Sequence, residues 1–414
     1  MQTDSQVAGC VKSSLALDGG RPVRDTWLPY GHQLIDDTDI SAVSRALKAD
    51  FLTQGPSIKV FEDAVAEKAG VQYAVAISNG TAALHAAYYS AGIGKGDLIV
   101  TAPVTFAATS NAALYLGAKP LFADVDPNTG LIDVESVAKL LKSTEGSHVK
   151  AVVGIDFGGQ PCHYRELEVL AASLGVPFIV DASHSLGATY QGQKAGFAGV
   201  LSTMSFHPVK SITTGEGGMI LTNDANLYEK LLLFRSHGIT KAKDKLTRDE
   251  GPWYHEMQEL GYNYRLCDIQ AALGTSQITK LDTFVKRRRE IAALYRAKLA
   301  GHPNYQCATA HDDRESAYHL FPILVKDTPH ATNRRFVFEA LHAENIGVQV
   351  HYIPTYQMPY YQNHVNDRDW ASLCPGAEEF YQREIGLPIF PAMSDSDVDD
   401  VVNALNKIAS HLPK

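Results

Sequence analysis

The feature that most constrains this chain is a recurrence. Between Ser41 and Asp224, short apolar runs return again and again, each separated from the next by a helix-length segment. The runs are YAVAIS (73–78), DLIVTA (97–102), KPLFADV (119–125), KAVVGID (150–156) and PFIVD (177–181), and STMSF (202–206) and GGMILTND (217–224) add two more. Runs of Val, Ile and Phe without polar alternation belong to strands buried on both faces. With helical connections between them they predict a mostly parallel sheet flanked by helices. Asp37–Ala49 carries Ile40, Val43 and Leu47 at helical spacing behind an Asp-rich start, and TAALHAAYYSAG (81–92) is a helix ended by glycine. Residues 265–300 are strongly helical, and Gly274 is the expected break. Beyond them, YHLFPILV (318–325) and NIGVQVHY (345–352) are predicted as strands around a helix near Asn333–Glu344, before a closing amphipathic helix with an acidic start. The pattern predicts an unassigned extension over 1–26, a large domain over 27–275 and a smaller C-terminal α/β domain over 276–414.

Composition narrows the class. A chain of 414 residues, 45% hydrophobic and 20% charged, can bury a large core without metal or disulfide staples. Its formal net charge of −9 argues against a nucleic-acid surface while leaving room for a small phosphate site. The five cysteines (Cys10, Cys162, Cys267, Cys307, Cys374) form no CxxC pair, so reduced thiols fit better than a disulfide framework or a zinc site. No apolar run is long enough to span a bilayer, and the opening segment lacks the pattern of a signal peptide, which predicts a cytoplasmic protein.

In open parallel sheets, chemistry collects at the carboxyl ends of strands. Three such ends stand out. At SNGTAALH (78–85) a strand turns directly into a helix, where Gly80 admits close approach and the amides of Thr81 and Ala82 form a phosphate cradle. At PFIVDASHSLGA (177–188), Asp181 ends an apolar strand and must be offset by a cation or donors, with His184 three residues on. At STMSFHPVKSITTGEGG (202–218), Lys210 lies between two core strands. A lysine desolvated there becomes a nucleophile suited to Schiff-base formation, and Ser205 is placed to donate to a phosphate. A cradle, a buried carboxylate and a reactive lysine are together what pyridoxal 5'-phosphate requires.

With these residues in hand, the chain resembles the pyridoxal-phosphate-dependent nucleotide-sugar aminotransferases of the aspartate aminotransferase fold (fold type I). The likeness is carried by GTAAL (80–84), TFAATSN (105–111), DASHSLGA (181–188), SFHPVK (205–210), RSHG (235–238) and GYNYRLCDIQAALGTSQ (261–277), and extends from about Tyr30 to Pro391. It implies that Lys210 holds the cofactor as an aldimine and shuttles protons. Asp181 then pairs with the ring nitrogen, His184 approaches the ring hydroxyl side and Phe106 stacks on the ring. Gly80, Thr81, Ala82 and Ser205 contact the phosphate, and Asn263 reaches in from the second subunit of a homodimer with shared active sites. LPYGHQLIDD (28–37), DFLTQGP (50–56), WYHEMQELGYNYR (253–265) and GVQVHYIPTYQMPYY (347–361), with Asp156 where many relatives have histidine, point to the branch serving pseudaminic acid biosynthesis. The implied reaction moves an amino group from L-glutamate, leaving 2-oxoglutarate, to C4 of a UDP-linked 4-keto-6-deoxy-N-acetylhexosamine. Tyr30, Asp50, Phe51, Leu52, Thr53, His351 and Tyr352 are the implied substrate contacts. GDP- or dTDP-linked keto sugars are the alternative substrates, and a non-catalytic dimeric regulator is the alternative from another class. Ser183 departs from the alanine common in this motif.

Overall fold

The computed structural model describes residues 14–326 and 333–412. Its centre is a seven-stranded sheet containing β1 (Tyr73–Ile77), β2 (Leu98–Thr101), β3 (Lys119–Phe122), β4 (Val149–Ile155) and β5 (Phe178–Asp181), joined by the strands Leu201–Ser205 and Gly218–Thr222. The order is β1, Gly218–Thr222, Leu201–Ser205, β5, β4, β2, β3, and only Gly218–Thr222 runs against the others. This is the mostly parallel sheet the apolar runs predicted. Both faces are buried. Val100, Val152, Val180 and Met204 point into one core, while Ile99, Val153, Ile179 and Ile220 point into the other. Among the described residues no helix is long and apolar enough to cross a membrane.

Helix α1 (Asp37–Leu47) starts where its acidic run predicted, with Asp36 and Asp39 capping it reciprocally. Its apolar stripe, however, does not face a core among the described residues, since Ile40 and Leu47 are exposed. The anchor of α1 is polar. Fully buried Asp39 accepts from Ser276, Gln277 and Lys280, tying α1 to the end of the helix Asp268–Ile278.

The break in the long helical segment falls at Thr279–Lys280, between Asp268–Ile278 and Leu281–Lys298, and not at Gly274. Gly274 lies inside the first of these helices because a Cβ there would meet the Phe61 ring at 2.6 Å. Phe61 belongs to α2 (Pro56–Ala69), so the glycine is a packing residue where two helices press together.

A second sheet, antiparallel, comprises Tyr305–Cys307, Phe321–Val325 and Glu384–Leu387. The predicted helix appears as Arg334–Ala343 and the closing helix as Asp395–Ala409. Leu15 and Leu28, on either side of residue 26, pack into this sheet's core with Phe321, Val337 and Val401. In contrast, Tyr356, Tyr361, Trp370 and Phe380 pack into the core of the large sheet.

NIGVQVHY is not a strand. Its backbone divides its hydrogen bonds between two neighbours, Gly347 donating to Leu28 and Gln349 exchanging with Gly386, so no ladder forms. Cys162, Cys267, Cys307 and Cys374 are free thiols. Cys10 and the remainder of 1–13 lie outside the described residues.

Candidate active site

The carboxyl ends of β1, β5 and Leu201–Ser205 open onto one cavity of about 760 Å³. Its walls include Gly80, Thr81, Ala82, Phe106, Asp181, His184, Ser205 and Lys210, so the three separate strand ends converge. Tyr30, His351 and Tyr352 also line it.

The cradle is built by β1 running into α3 (Gly80–Ser90). Asn79 caps this helix, its side chain accepting from the Ala82 amide at 2.9 Å, and the first intrahelical bond runs from Ala83 to Asn79. The Ala82 amide is already taken by the cap, which leaves the Gly80 and Thr81 amides as the outward donors of the helix start. Glycine is required at 80, since a Cβ would come within 2.9 Å of Ser205 Cβ. That approach sets the Ser205 hydroxyl beside the cradle.

Asp181 is nearly buried and already has two donors. Thr109 Oγ1 donates to its Oδ2 at 2.7 Å, and the Ser183 amide to its Oδ1 at 3.2 Å. Both carboxylate oxygens therefore have a donor in a desolvated place. Thr109 is itself bonded to Thr105 Oγ1 at 2.9 Å. The Ser183 departure costs nothing here, since it is the backbone that serves Asp181.

Lys210 sits on the cavity wall just after the Leu201–Ser205 strand. Burial pushes its ammonium down to about 8, partly offset by the charge of Asp181. A useful fraction is thus a free amine near neutrality, as a nucleophile and proton carrier needs. His184 is held well below its ordinary pKa by burial, then by the Lys210 and His351 charges, so it is a neutral imidazole. Its Nδ1 faces the Gly158 amide at 3.3 Å and its Nε2 the Tyr352 hydroxyl at 3.4 Å. Phe106 presents an exposed ring to the cavity, 6.3 Å from the Tyr352 ring.

Asp156 lies beneath this floor, fully buried. It accepts from Ser185 Oγ, Tyr164 OH and the Cys162 amide, while its own amide donates to the Asp181 carbonyl. One residue, through its amide and its carboxylate, thereby ties both ends of the turn carrying Asp181 and His184.

Asp50, Phe51, Leu52, Thr53 and Asn263 do not line this cavity. Asp50 through Thr53 are exposed between α1 and α2, and Asn263 is exposed with its backbone bridged to Ser236. Asn263 is also not the cap of the following helix, a place held by Cys267 with Gln270. Sequence reasoning missed His319 and Thr109. Both lie in runs quoted above or beside them, SAYHLF and TFAATSN, but neither run marks which member turns inward.

A model of the DegT/DnrJ/EryC1/StrS aminotransferase family matches residues 33–406. The chain is 39% identical over 388 residues to a Campylobacter jejuni UDP-4-amino-4,6-dideoxy-N-acetyl-beta-L-altrosamine transaminase, covering 94% of this chain and 99% of that one. It is 37% identical over 386 residues to the Bacillus subtilis spore coat polysaccharide biosynthesis protein SpsC, covering 93% and 98%. Among solved structures, Helicobacter pylori PseC, an aminotransferase involved in pseudaminic acid biosynthesis, superposes with a TM-score of 0.86 at 33% identity, over 94% of this chain and all of that one.

Proposed function

Because the chain belongs to the DegT/DnrJ/EryC1/StrS aminotransferase family, we propose that it is a pyridoxal 5'-phosphate-dependent nucleotide-sugar transaminase. It carries the amino group of L-glutamate to C4 of a UDP-linked 4-keto-6-deoxy-N-acetylhexosamine, releasing 2-oxoglutarate, in pseudaminic acid biosynthesis. The observation that carries this reading is the partly desolvated Lys210 in one cavity with Asp181, His184 and the Gly80 cradle.

These residues fit the cofactor. A helix start shaped by a glycine whose Cβ would crowd Ser205 suits a phosphate, and a buried carboxylate that accepts from Thr109 suits a protonated ring nitrogen. When bound, the cofactor supplies a carbonyl that carries nitrogen and a ring that withdraws electrons from the substrate carbon. The chain does the rest. Gly80, Thr81 and Ser205 would hold the phosphate, Asp181 would keep a proton on the ring nitrogen, His184 would approach the ring hydroxyl side, and Phe106 would stack on the ring. Lys210 takes the proton from the glutamate α-carbon and later returns one at C4 of the sugar, acting alternately as base and acid. Its lowered pKa serves both directions.

Tyr30, His351 and Tyr352 receive the nucleotide sugar at the cavity wall. Asp50, Phe51, Leu52, Thr53 and Asn263, exposed on this chain, complete the cavity of a second copy, so the working unit is a homodimer with shared sites. Its place is the cytoplasm.

The test is turnover with L-glutamate and each of UDP-, GDP- and dTDP-linked 4-keto-6-deoxy sugars, read as 2-oxoglutarate formed. The UDP-linked acetamido sugar should lead, and Lys210→Ala should be inactive. Turnover surviving in Lys210→Ala would overturn the assignment of the lysine. A preference for a GDP- or dTDP-linked sugar would overturn the substrate.

A further inference from the structure

Lys210 has a neighbour that the reaction as derived above does not use. His319 is buried, and its Nε2 lies 3.5 Å from Lys210 Nζ, at the outer limit of a hydrogen bond. Its Nδ1 has no hydrogen-bond partner among the described residues, so Lys210 is the polar contact the imidazole makes. A buried ring with one orphaned nitrogen costs stability, and a histidine retained at that cost needs a reason other than packing.

The backbone around it is built to hold it there. Tyr318, just before it, is left-handed at φ +48°, a conformation a bulky residue rarely adopts. The loop lies flat on the Gly158–Gly159 turn, with Ala317 donating to Gly159 and Leu320 to Gly158. A Cβ on Gly159 would strike the Tyr318 amide at 2.8 Å. Arg288, fully buried, then clamps the assembly. Its guanidinium donates to the carbonyls of Tyr318 (3.2 Å) and His319 (3.4 Å), and also to that of Val209 (3.4 Å), the residue before the lysine. One cation thus fixes the backbone of His319 and of Lys210 relative to each other.

We propose that His319 is a positioning residue for Lys210, its Nε2 accepting from the lysine ammonium and holding Nζ in the cavity whenever no carbon is bonded to that nitrogen. The inference rests on Lys210 being the reactive amine. The groups that face the pair are Asp181 on β5, His184 in the turn after it, Arg288, and His351 and Tyr352 on the opposite wall. Burial first, then Lys210, His184, Arg288 and His351, keep His319 unprotonated, so its lone pair is available. A freed lysine has several rotatable bonds, and an acceptor at a fixed point spares it a search before each proton transfer.

The test uses cofactor-free protein, labelled with trace acetic anhydride from pH 6 to 11. The Lys210 peptide is quantified by mass spectrometry to give the lysine's titration midpoint. In the wild type that midpoint lies near 8. In His319→Leu the ammonium loses its acceptor, and the midpoint falls by about one pH unit or more. In His319→Gln, whose carbonyl can reach the same nitrogen, it returns toward the wild-type value. His319→Asn, too short to reach, serves in place of the leucine variant if that one does not fold, with the same downward shift expected. A midpoint in the leucine or asparagine variant within about 0.2 units of wild type overturns the proposal, as does a glutamine variant that behaves like leucine. Separately, wild-type Lys210 that is not trapped by pyridoxal phosphate and borohydride would overturn the reading of the lysine itself, whatever His319 does.

Discussion

Asp156 allows a quantitative prediction about stability. Burial lifts its carboxyl from the ordinary 3.8 to about 6, against the downward pull of Ser185, Tyr164 and the Cys162 amide. For an acid whose folded pKa is raised, the neutral form is the stabilised one. Its contribution is fully present below the unfolded pKa and is lost as pH rises through the folded value. A shift of about 2 units corresponds to about 3 kcal/mol, roughly half of it lost by pH 5 and the remainder by about pH 7. Asp156→Asn removes this titration while keeping a side chain of the same shape. The amide oxygen still accepts from Cys162, and the Ser185 hydroxyl can turn toward the Ala182 carbonyl, 3.3 Å away. The assay is denaturant unfolding of cofactor-free wild type and Asp156→Asn at matched concentration, from pH 4 to 8. The wild type should lose about 2.5 kcal/mol relative to the variant across that range, with the difference flat above pH 7. Parallel curves, or a wild type that gains on the variant as pH rises, would refute the reasoning.

Other consequences follow from single contacts. Thr109→Val keeps shape but removes the 2.7 Å donor to Asp181, so the dissociation constant for pyridoxal phosphate in fluorescence titration should rise about tenfold or more; unchanged affinity would show that the carboxylate does not need it. Gly274→Ala, despite a helix-propensity gain of about 1 kcal/mol, should destabilise by about 1–3 kcal/mol, because its Cβ would sit 2.6 Å from the Phe61 ring. A higher melting temperature would contradict that packing. Asn263→Ala should weaken cofactor retention without unfolding the chain, and mixing it with Lys210→Ala subunits should restore part of the activity by leaving one intact composite site per heterodimer. No recovery in a mixture shown to exchange subunits would mean that each chain serves its own site.

The large sheet was legible because it is buried on both faces, so its strands are continuous apolar runs that need no periodicity to be seen. Legibility failed where one residue type serves two physical ends. Gly274 looks like a helix breaker, but inside Asp268–Ile278 its missing Cβ is what lets Phe61 approach. Ile40 and Leu47 have the spacing of a buried stripe, yet α1 is anchored through the polar Asp39 beside that stripe. Apolar spacing on a helix is thus no proof of burial, because a polar anchor can hold the helix in its place. NIGVQVHY alternates as a strand does, but alternation reports the facing of side chains, whereas a strand also needs one neighbour to take its backbone bonds in sequence. Here Leu28 and Gly386 share them.

At the site, the legible residues were those whose chemistry is unusual for their place in the sequence. A carboxylate and a lysine at the ends of apolar strands are conspicuous because burial there is costly. Thr109 and His319 were not, because their importance comes from what the fold brings to them. Thr109 reaches a carboxylate 72 positions away, and His319 meets a lysine 109 positions away. The same distinction explains where the molecule departs from relaxed geometry. The left-handed Tyr318, the Gly80 and Gly159 contacts that no Cβ could enter, and the buried Arg288 bonded to carbonyls alone all lie in the layers around Lys210. Each is costly and none serves the core. Such costs persist when the surrounding structure holds them in place, and here all of them bear on where the backbone of Lys210 and of its neighbour His319 is set.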